Sequence, residues 1–396
     1  MRRPWLGAFA ALFVSSWAGN QFTPVLLMYE EVQGYGDATV NAFLGVYVLG
    51  LAPALLVAGT LSDRFGRRPV MLAGTVIGMA ASAVLAFGAL GPVPIYVGRL
   101  LAGITVGTAT SVGTSWIKEL SQVPYDRQAD AGSGARRASL AFTLGSGVGA
   151  LVAGALAQWG PWPEVLPFVV HLVVTAPFLL VVLRTPESNA FGGEAGPWWR
   201  GLRVPPAGHR RFTRVVAVVA PWIFVVAALT YGYAPVLLRD RTEGFGVAYA
   251  TLLTVVALGV AAVVQPAAKR LDAVDSARGL AVAAGALTVA VACVGLVVAS
   301  GSPWWGVGAA VVGGAGMGIG LSSGLLEVQR IAGPRHLAGL TGVFYAVAYA
   351  GFLTPAIMAA ITPPFTTAQL FVVLVALGAV STGVVVAHYR KHLPEA

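Results

Sequence analysis

Two stretches of this chain carry no charged side chain over a length that only a lipid bilayer explains. No Lys, Arg, Asp or Glu occurs between Arg278 and Glu327, nor between Arg335 and Arg390. Across all 396 residues, charged side chains make up 10% and hydrophobic ones 57%, whereas soluble domains carry about 25% charged residues. So few charges cannot cover a surface in water, and lipid must be the solvent for most of the chain.

The remaining charges and the Gly/Pro breaks predict an all-α membrane protein with twelve transmembrane helices. A spanning helix needs about 20 mostly apolar residues. Helices are required because lipid offers backbone N–H and C=O groups no other partner, and the sequence lacks the alternation typical of membrane strands. The predicted spans lie in the intervals 3–30, 37–63, 68–118 (two spans), 137–164, 164–184, 214–239, 243–269, 278–327 (two spans) and 335–390 (two spans).

The distribution of basic residues predicts the orientation of these spans. With the N-terminus in the cytoplasm, about 22 of the 25 Lys and Arg residues fall in cytoplasmic segments, as the positive-inside rule requires. Arg239 and Arg241 fall in outside loops, and Arg99 falls within a span. One helix more or fewer would invert every later loop, so we expect twelve spans with both termini in the cytoplasm.

A repeated tetrapeptide divides the spans into two halves. The sequence Pro-Val-Leu-Leu begins at Pro24, late in span one, and again at Pro235, late in span seven, 211 residues further on. The same offset relates glycine pairs in spans four and ten: Gly103 and Gly107, Gly314 and Gly318. Spans an even number apart cross in the same direction, so we expect two pseudo-symmetric six-helix bundles, 1–184 and 212–396, joined by a cytoplasmic linker, 185–211.

The tight loop between spans two and three carries the most specific motif. It reads Gly-Thr-Leu-Ser-Asp-Arg-Phe-Gly-Arg-Arg from Gly59 to Arg68. Gly66 permits a hard turn between two helices, and Asp63 can form charge-assisted bonds with the arginines in one conformation and release them in another. The alternative is a solvated loop that only follows the positive-inside rule. The candidate gating residues are Gly59, Asp63, Arg64, Gly66, Arg67 and Arg68.

This loop resembles the signature loop of the major facilitator superfamily, Gly-x-Leu-Ala-Asp-Arg-x-Gly-Arg-Lys, almost position for position. The resemblance implies two six-helix bundles that give alternating access to a central cavity, with the loop stabilising the state closed to the cytoplasm. It also implies that the partner of Asp63 is the start of span eleven, near Leu337 to Gly342.

Arg99 in span four, followed by Gly103, resembles the superfamily's Arg-x-x-x-Gly motif, in which the arginine is implicated in proton coupling. An arginine at the centre of a span costs about 2.5–3.5 kcal/mol on insertion scales, so it needs a cavity or a partner. Because Arg99 lies close to the break at Pro94, the alternative is that its side chain snorkels to the outer interface.

Span five, from Gly145 to Gly154, resembles the superfamily's antiporter motif, but Ala150 and Ala153 replace its proline and the first of its two final glycines. Small residues for close helix packing explain this stretch equally well. The antiporter resemblance is therefore weaker than that of the signature loop.

Polar residues in mid-span are the candidates for a substrate cavity, which the resemblance places among spans one, four, seven and ten. The candidates are Trp17, Asn20 and Gln21 in span one, and Tyr231 and Tyr233 in span seven. For Asn20 and Gln21 the alternative is a hydrogen bond between helices. His171 in span six is expected to be a packed or hydrogen-bonded histidine rather than a proton carrier.

No span holds an acidic residue near its middle, although many drug/proton antiporters of the superfamily carry one in span one. The acids flanking the spans are Glu30 and Glu31 at an outer end, and Glu119 and Glu327 at cytoplasmic ends. Interfacial solvation explains all four. Glu30 and Glu327 are kept as proton-coupling candidates together with Arg99.

Other classes of function find little support in the sequence. A nucleotide-binding Gly-x-x-x-x-Gly-Lys-Ser/Thr loop and a His-Glu-x-x-His pair do not occur. Cys293 is the only cysteine, so we expect no intramolecular disulfide and no metal site. The net charge of +9 is spread over short loops rather than one basic face, so nucleic acid is not an expected partner.

Together these features predict a secondary active transporter, not an enzyme, that uses a proton gradient and no cofactor. The expected function is proton-coupled export of small neutral or amphipathic organic compounds, as implied by resemblance to the twelve-helix drug/proton antiporter-like branch of bacteria. We expect a monomer in the bilayer of the bacterial cytoplasmic (inner) membrane. The alternative is an uptake permease for a sugar-like or other small metabolite, and the remoter alternatives are a polytopic membrane enzyme and a non-transporting sensor.

Overall fold

The computed structural model describes residues 3–189, 203–271, 273, 275–333, 336–362 and 364–391. Within these ranges the regular structure is helical, apart from one isolated bridge between Ala273 and Ser276. The reason is the apolar sequence, since a helix bonds its backbone groups within one segment. The α-helices are α1 Trp5–Asn20, α2 Phe22–Gln33, α3 Asp37–Phe65, α4 Arg67–Leu85, α5 Pro92–Thr108, α6 Thr114–Leu120, α7 Ser133–Trp159, α8 Leu166–Arg184, α9 Ala217–Ala227, α10 Ala234–Leu237, α11 Gly246–Val264, α12 Arg278–Ser300, α13 Pro303–Ile331, α14 Leu337–Tyr349, α15 Thr354–Ala360 and α16 Thr367–His388.

Eleven helices in the described part of the chain are long and apolar enough to cross a membrane. Three of them combine consecutive helical elements without an interruption: Pro92–Leu120, Phe212–Leu237 and Leu337–Ala360. The expected all-helical, multi-pass architecture is therefore confirmed. The cytoplasmic position of both termini stays a prediction.

The predicted first span is split into two helices. α1 and α2 meet at Gln21, and with 16 and 12 residues each is shorter than the roughly 20 residues of a full crossing. Pro24 explains the break, because it has no N–H for the carbonyl of Asn20 and its ring clashes with that carbonyl. The twelfth crossing therefore also stays a prediction.

Span seven changes its geometry at the repeat-related place. A π-helical segment, Ala228–Tyr233, precedes the short helix α10, whose second residue is Pro235. π-helical turns are rare and frequently occur at functional sites. The Pro-Val-Leu-Leu repeat thus marks a disturbed helix in both halves of the sequence.

By their contacts, the residues fall into two units. One consists of Met1–Pro205 with Ala332–Ala346, and the other of Pro206–Ile331 with Val347–Ala396. The first part of α14 therefore makes its contacts within the N-terminal unit. The predicted boundaries at 184 and 212 stay a prediction, and residues 190–202 of the expected linker lie outside the described ranges.

Repeat-related glycines let neighbouring helices approach backbone to backbone in each unit. In the first unit, a Cβ added at Gly103 of α5 would lie 2.1 Å from the carbonyl oxygen of Tyr47 in α3. In the second, a Cβ added at Gly314 of α13 would lie 2.3 Å from the carbonyl oxygen of Ala257 in α11. Both units therefore use the same small-residue helix contact, which the sequence repeat indicates.

We expect Gly103→Ala to destabilise the protein, because the added methyl group forces α5 away from α3 and such overpacking costs about 1–3 kcal/mol. Gly308→Ala is the matched control, since a Cβ on that helical glycine of α13 meets no atom within 4 Å. Thermal unfolding in detergent should show a lower midpoint for Gly103→Ala and an unchanged one for Gly308→Ala. Equal midpoints would contradict the close contact.

Candidate functional site

A cluster of charged side chains joins α3, α4 and α6 around Arg67. Arg67 begins α4 and is 2% exposed. Its Nη1 donates to Ser62 Oγ at 2.6 Å and to Asp63 Oδ1 at 2.5 Å, both near the end of α3. Its Nε and Nη2 donate to the Glu119 carboxylate in α6, the shortest bond being 2.7 Å. A buried guanidinium needs such a full set of partners, since one ion pair alone rarely offsets its desolvation.

The segment after α8 completes this Arg67 cluster. The Glu187 carboxylate accepts from the backbone N–H groups of Arg67 and Arg68, each at 2.9 Å. It thereby caps the N-terminus of α4, where a negative charge is favoured. Asn189 Nδ2 donates to two carbonyl oxygens at the end of α3, at 2.8 and 3.1 Å. Ser188 Oγ donates to the carboxylate of α6 that Arg67 also binds.

Gly66 makes the turn between α3 and α4. Its backbone has φ 101° and ψ 157°, a region that is essentially restricted to glycine. A Cβ at this position would also lie 2.6 Å from Glu187 Oε2. The structure therefore contains the hard turn that the sequence predicts, and it adds a second reason for glycine.

The start of α14 packs on α3 within the first unit. A Cβ at Gly342 would lie 2.3 Å from the carbonyl oxygen of Leu55 in α3. The ion pair of Asp63, however, is formed with Arg67 at 2.5 Å. Close backbone packing thus joins α14 to α3, and Asp63 forms an ion pair inside the loop. The pairing of Asp63 with the segment Leu337 to Gly342, which the resemblance implies, stays a prediction.

The other gating candidates surround this cluster. Gly59 faces α14, and a Cβ there would lie 3.2 Å from the backbone of Ala338. Arg64 is exposed and lies over an adjacent phenyl ring, 5.6 Å from its centroid. Arg68 is exposed and donates from Nη1 to a backbone carbonyl of α8 at 3.4 Å. The two exposed arginines are therefore less constrained than Arg67.

Sequence reasoning missed Glu187 and its two neighbours and expected Glu119 to be solvated. The Glu119 side chain is 17% exposed and is held by Arg67. One signal could have identified Glu187. It is a carboxylate directly after a spanning helix, on the same predicted side of the membrane as a basic loop, and a negative charge there suits the N-terminus of a neighbouring helix.

Arg99 is buried inside the first unit, with 3% of its surface exposed. Its guanidinium carbon lies 4.6 Å from the Phe22 ring centroid and 4.2 Å from that of Tyr47. It donates to the carbonyl oxygens of Phe43 at 3.3 Å and Gly19 at 3.4 Å. Aromatic faces and carbonyls replace water around the charge, so the snorkelling alternative is wrong.

Glu327 is buried in the second unit and is held by two arginines. Arg211 Nε donates to its Oε2, and Arg330 Nη1 donates to its Oε1 at 3.0 Å. Arg211 is itself fully buried. Interfacial solvation is therefore wrong for Glu327, whereas Glu30 lies half-buried in α2. Proton coupling by either carboxylate stays a prediction.

Two of the five cavity candidates lie in helix contacts. Trp17 is 5% exposed and packs on Gly149 of α7 and on the ring of His171, with 5.9 Å between centroids. Gln21 is fully buried and donates from Nε2 to Ser82 Oγ of α4 at 2.9 Å. This is the hydrogen bond between helices that the sequence left open as the alternative for Gln21.

The other three cavity candidates lie beside the two disturbed helices. Asn20 ends α1 and accepts from Thr23 at 3.4 Å. Tyr231 and Tyr233 belong to the π-helical segment of span seven, and Tyr233 stacks on Phe371 with 6.5 Å between centroids. Substrate contact by these three residues stays a prediction.

His171 is buried and hydrogen-bonded, as the sequence predicts. Its Nδ1 lies 2.7 Å from Ser82 Oγ, and its Nε2 lies 3.0 Å from the carbonyl oxygen of Val14. Metal binding has no comparable geometry: over the described ranges, no three His, Cys, Asp or Glu side chains come together to hold an ion.

Comparison with known proteins extends over nearly the whole chain. The family model described as Major Facilitator Superfamily matches residues 5–355. The proton:xylose symporter XylE superposes with a TM-score of 0.69 and 15% identity, covering 99% of this chain and 97% of that one. The human organic anion transporter MFSD10 (TETRAN) gives 0.71 and 18%, covering 97% and 99%. At these identities the likeness to the two structures concerns the fold alone.

Curated relatives with multidrug names match only parts of the chain. The multidrug resistance protein MdtL of Klebsiella pneumoniae (strain 342) is 35% identical over 22% of this chain and 22% of its own length. The multidrug efflux pump LfrA of Mycolicibacterium smegmatis is 31% identical over 37% and 29%. The multidrug transporter AQR1 of Candida glabrata is 28% identical over 45% and 29%. The matches thus span 22% to 29% of these relatives' own lengths.

We expect Gly66→Ala to lower the stability of the protein by about 1–3 kcal/mol, because a non-glycine residue is strained in this backbone conformation. The methyl group would also push Glu187 off the end of α4. Gly36→Ala is the matched control, since Gly36 also precedes a helix but has φ −71° and no atom within 4 Å of an added Cβ. Thermal unfolding measures both, and equal midpoints would refute the glycine requirement.

Proposed function

Because the chain belongs to the major facilitator superfamily, we propose that this membrane transporter works by alternating access and exports small neutral or amphipathic organic compounds in exchange for protons. The proposed location is the bacterial cytoplasmic membrane, with the monomer as the working unit. Family membership supports transport itself. What we propose beyond this is the class of substrate, the direction of transport and its coupling to protons.

The Arg67 cluster beside the packed start of α14 is the observation that carries the proposal. The contact at Gly342 brings a helix from the second half of the sequence, backbone to backbone, onto the helix that ends in the signature loop. Next to it, charge-assisted bonds join Arg67 to Asp63 and Glu119. Such bonds are strong but exchangeable. A gate that closes and opens on the cytoplasmic side needs both properties.

The polar groups of the described spans favour solutes of low charge. Within these spans the acidic residues lie in or near terminal turns, as Asp63, Glu119 and Glu327 do. The disturbed helices offer an amide at Asn20 and phenolic rings at Tyr231 and its neighbour. Amides, hydroxyls and aromatic faces suit neutral and amphipathic compounds. The multidrug names of the partial relatives agree with this substrate class.

Export is tested by the accumulation of ethidium and of chloramphenicol in bacterial cells that do or do not produce the protein. We expect lower accumulation in producing cells and loss of the difference when a protonophore collapses the proton gradient. Equal accumulation under all conditions, for these and a broader panel of compounds, would remove the export proposal. Higher accumulation in producing cells would indicate uptake instead.

Asp63→Asn should depress transport and leave membrane insertion intact. The asparagine amide keeps the shape but loses the charge-assisted bond to Arg67, which contributes about 1.5–3 kcal/mol. If the gate depends on this bond, the initial efflux rate should fall about ten- to hundredfold. Rates are measured at equal amounts of membrane-inserted protein.

Asp126→Asn is the matched control for that substitution. Asp126 accepts from Arg137 at 2.8 Å in the segment between α6 and α7, and this hydrogen bond lowers the pKa of Asp126. Its ion pair resembles that of Asp63 but lies outside the Arg67 cluster, so its efflux rate should match the wild type. Wild-type efflux by the Asp63→Asn protein would refute the gating role.

A further inference from the structure

A chain of buried polar side chains links α4 and α8 to the break in span one. Gln21 Nε2 donates to Ser82 Oγ at 2.9 Å, and Ser82 Oγ lies 2.7 Å from His171 Nδ1. On the other side of the ring, His171 Nε2 lies 3.0 Å from the carbonyl oxygen of Val14 and 3.1 Å from Thr175 Oγ1. All of these residues are at most 1% exposed.

The hydrogen-bond partners determine the tautomer of the ring. The carbonyl oxygen of Val14 can only accept, so Nε2 of His171 carries a hydrogen. Nδ1 then accepts from the Ser82 hydroxyl, whose oxygen accepts in turn from the Gln21 amide. With these donors and acceptors, every hydrogen bond of the chain is consistent with a neutral imidazole.

When the ring is protonated, the hydrogen bonds of the same chain can exchange their donors and acceptors. A proton on Nδ1 of His171 makes that atom a donor, so the Ser82 hydroxyl has to accept from it and donate onward. The Oε1 atom of Gln21 is buried and has no hydrogen-bond partner among the described residues. A half-turn of the amide would bring this acceptor to Ser82.

The unpartnered oxygen gives the chain a second acceptor. A buried acceptor without a hydrogen bond costs about 1–3 kcal/mol. When the chain reverses, Oε1 of Gln21 gains a hydrogen bond from Ser82 and Nε2 gives up its own, so the amide can serve either direction.

Charged groups on the helices around His171 are far from its ring. α8 packs against α1, α4 and α7. The charged residues of these four helices lie near the helix ends: Arg67, Arg68, Arg136, Arg137 and Arg184. Arg184 is 13 residues from His171 along α8, which is about 20 Å along a helix. Arg68 is 14 residues from Ser82, which is about 21 Å.

At the opposite end of α4, the titratable groups already have other contacts. Glu164 accepts from Gln33 at 2.7 Å, and the Tyr29 hydroxyl packs over Gly88. A charge on His171 would therefore be stabilised by the neutral acceptors of the hydrogen-bond chain rather than by an ion pair. The Trp17 ring, 5.9 Å away between centroids, offers an aromatic face to a cation.

The position of Gln21 connects this chain to a helix that is already broken. Gln21 lies between α1 and α2, where Pro24 interrupts the first span. A turn of its amide changes what holds this break against α4. The hydrogen bond to Ser82 is thus the point at which the direction of the chain can act on the bend of span one.

We propose that His171 binds the transported proton on Nδ1, and that Ser82 and Gln21 are positioning residues that couple this protonation to the bend of span one. This inference rests on the proton exchange in the proposed function. The proton comes from the aqueous phase on one side and leaves to the other, so the ring charge changes by one and no covalent bond changes. Ionisable residues within spans commonly mark proton pathways.

The test uses the purified full chain in proteoliposomes, with ethidium and radiolabelled chloramphenicol as the probes. His171→Gln keeps hydrogen-bonding groups but cannot take up a proton. We expect it to lose accumulation driven by a pH gradient, down to the level of protein-free liposomes. Exchange of labelled for unlabelled compound needs no net proton movement and should be retained. His388→Gln at the end of α16 is the control and should retain both activities.

Gln21→Leu tests the positioning role. It removes the acceptor that the protonated chain needs and leaves the imidazole in place. Gradient-driven accumulation should be lost and exchange retained, as for His171→Gln. Full gradient-driven accumulation by the Gln21→Leu protein would overturn the role of the amide.

The outcomes separate this inference from the function on which it rests. If wild type responds to the pH gradient and His171→Gln does so equally, this inference fails and proton exchange stands. If wild type itself ignores the gradient, both fail. Should His171→Gln not fold, nitrogen NMR of labelled wild type, with each other histidine replaced in turn for assignment, decides the question. An imidazole of His171 whose protonation never changes with pH or probe would overturn the proposal.

Discussion

Everything in this molecule depends on one constraint: in lipid, backbone polar groups must bond within their own segment. The apolar stretches therefore form helices, and a departure from α-helix requires a local cause or a local partner. Pro24 is such a cause, because it releases the carbonyl of Asn20. The break that results lies beside a buried amide at Gln21, whose hydrogen bond to Ser82 joins the broken span to α4. The break in the backbone thus determines where a row of hydrogen-bonded polar side chains can lie among the helices.

The same constraint explains the Arg67 cluster. Two helices end at one tight turn, which leaves backbone carbonyls of α3 and N–H groups of α4 without helical partners. Asn189 binds the carbonyls and Glu187 binds the N–H groups. The charges of Arg67 and its carboxylates add strong bonds to a site that the helix ends already require. The proposed gate, which is built from helix ends, could therefore be stable when closed and still exchange its partners.

The spacing of charges in the sequence predicted most of the helices, because a membrane span is a local property of about 20 residues. The glycine at position 66 was predictable for the same local reason. The partners of Arg67 were not, since Glu119 and Glu187 are 52 and 120 residues away along the chain. Arg99 shows the same limit: a nearby proline suggested snorkelling, but rings and carbonyls from other helices surround the guanidinium. Side-chain partners across helices depend on packing, which one sequence does not reveal.

Each half holds a glutamate near the cytoplasmic end predicted for one of its spans, and the two glutamates are used in different ways. Glu119 and Glu327 both lie near the ends of repeat-related spans, and both bind arginine. The arginine of the first half comes from the signature loop, which also meets the start of α14. That of the second half, Arg211, precedes span seven and is fully buried. A fully buried ion pair is costly to open because each charge would lose its partner, whereas Asp63 remains 31% exposed. In the proposed mechanism, the first half is therefore the one suited to exchange its bonds, and the second half is suited to hold its helices together.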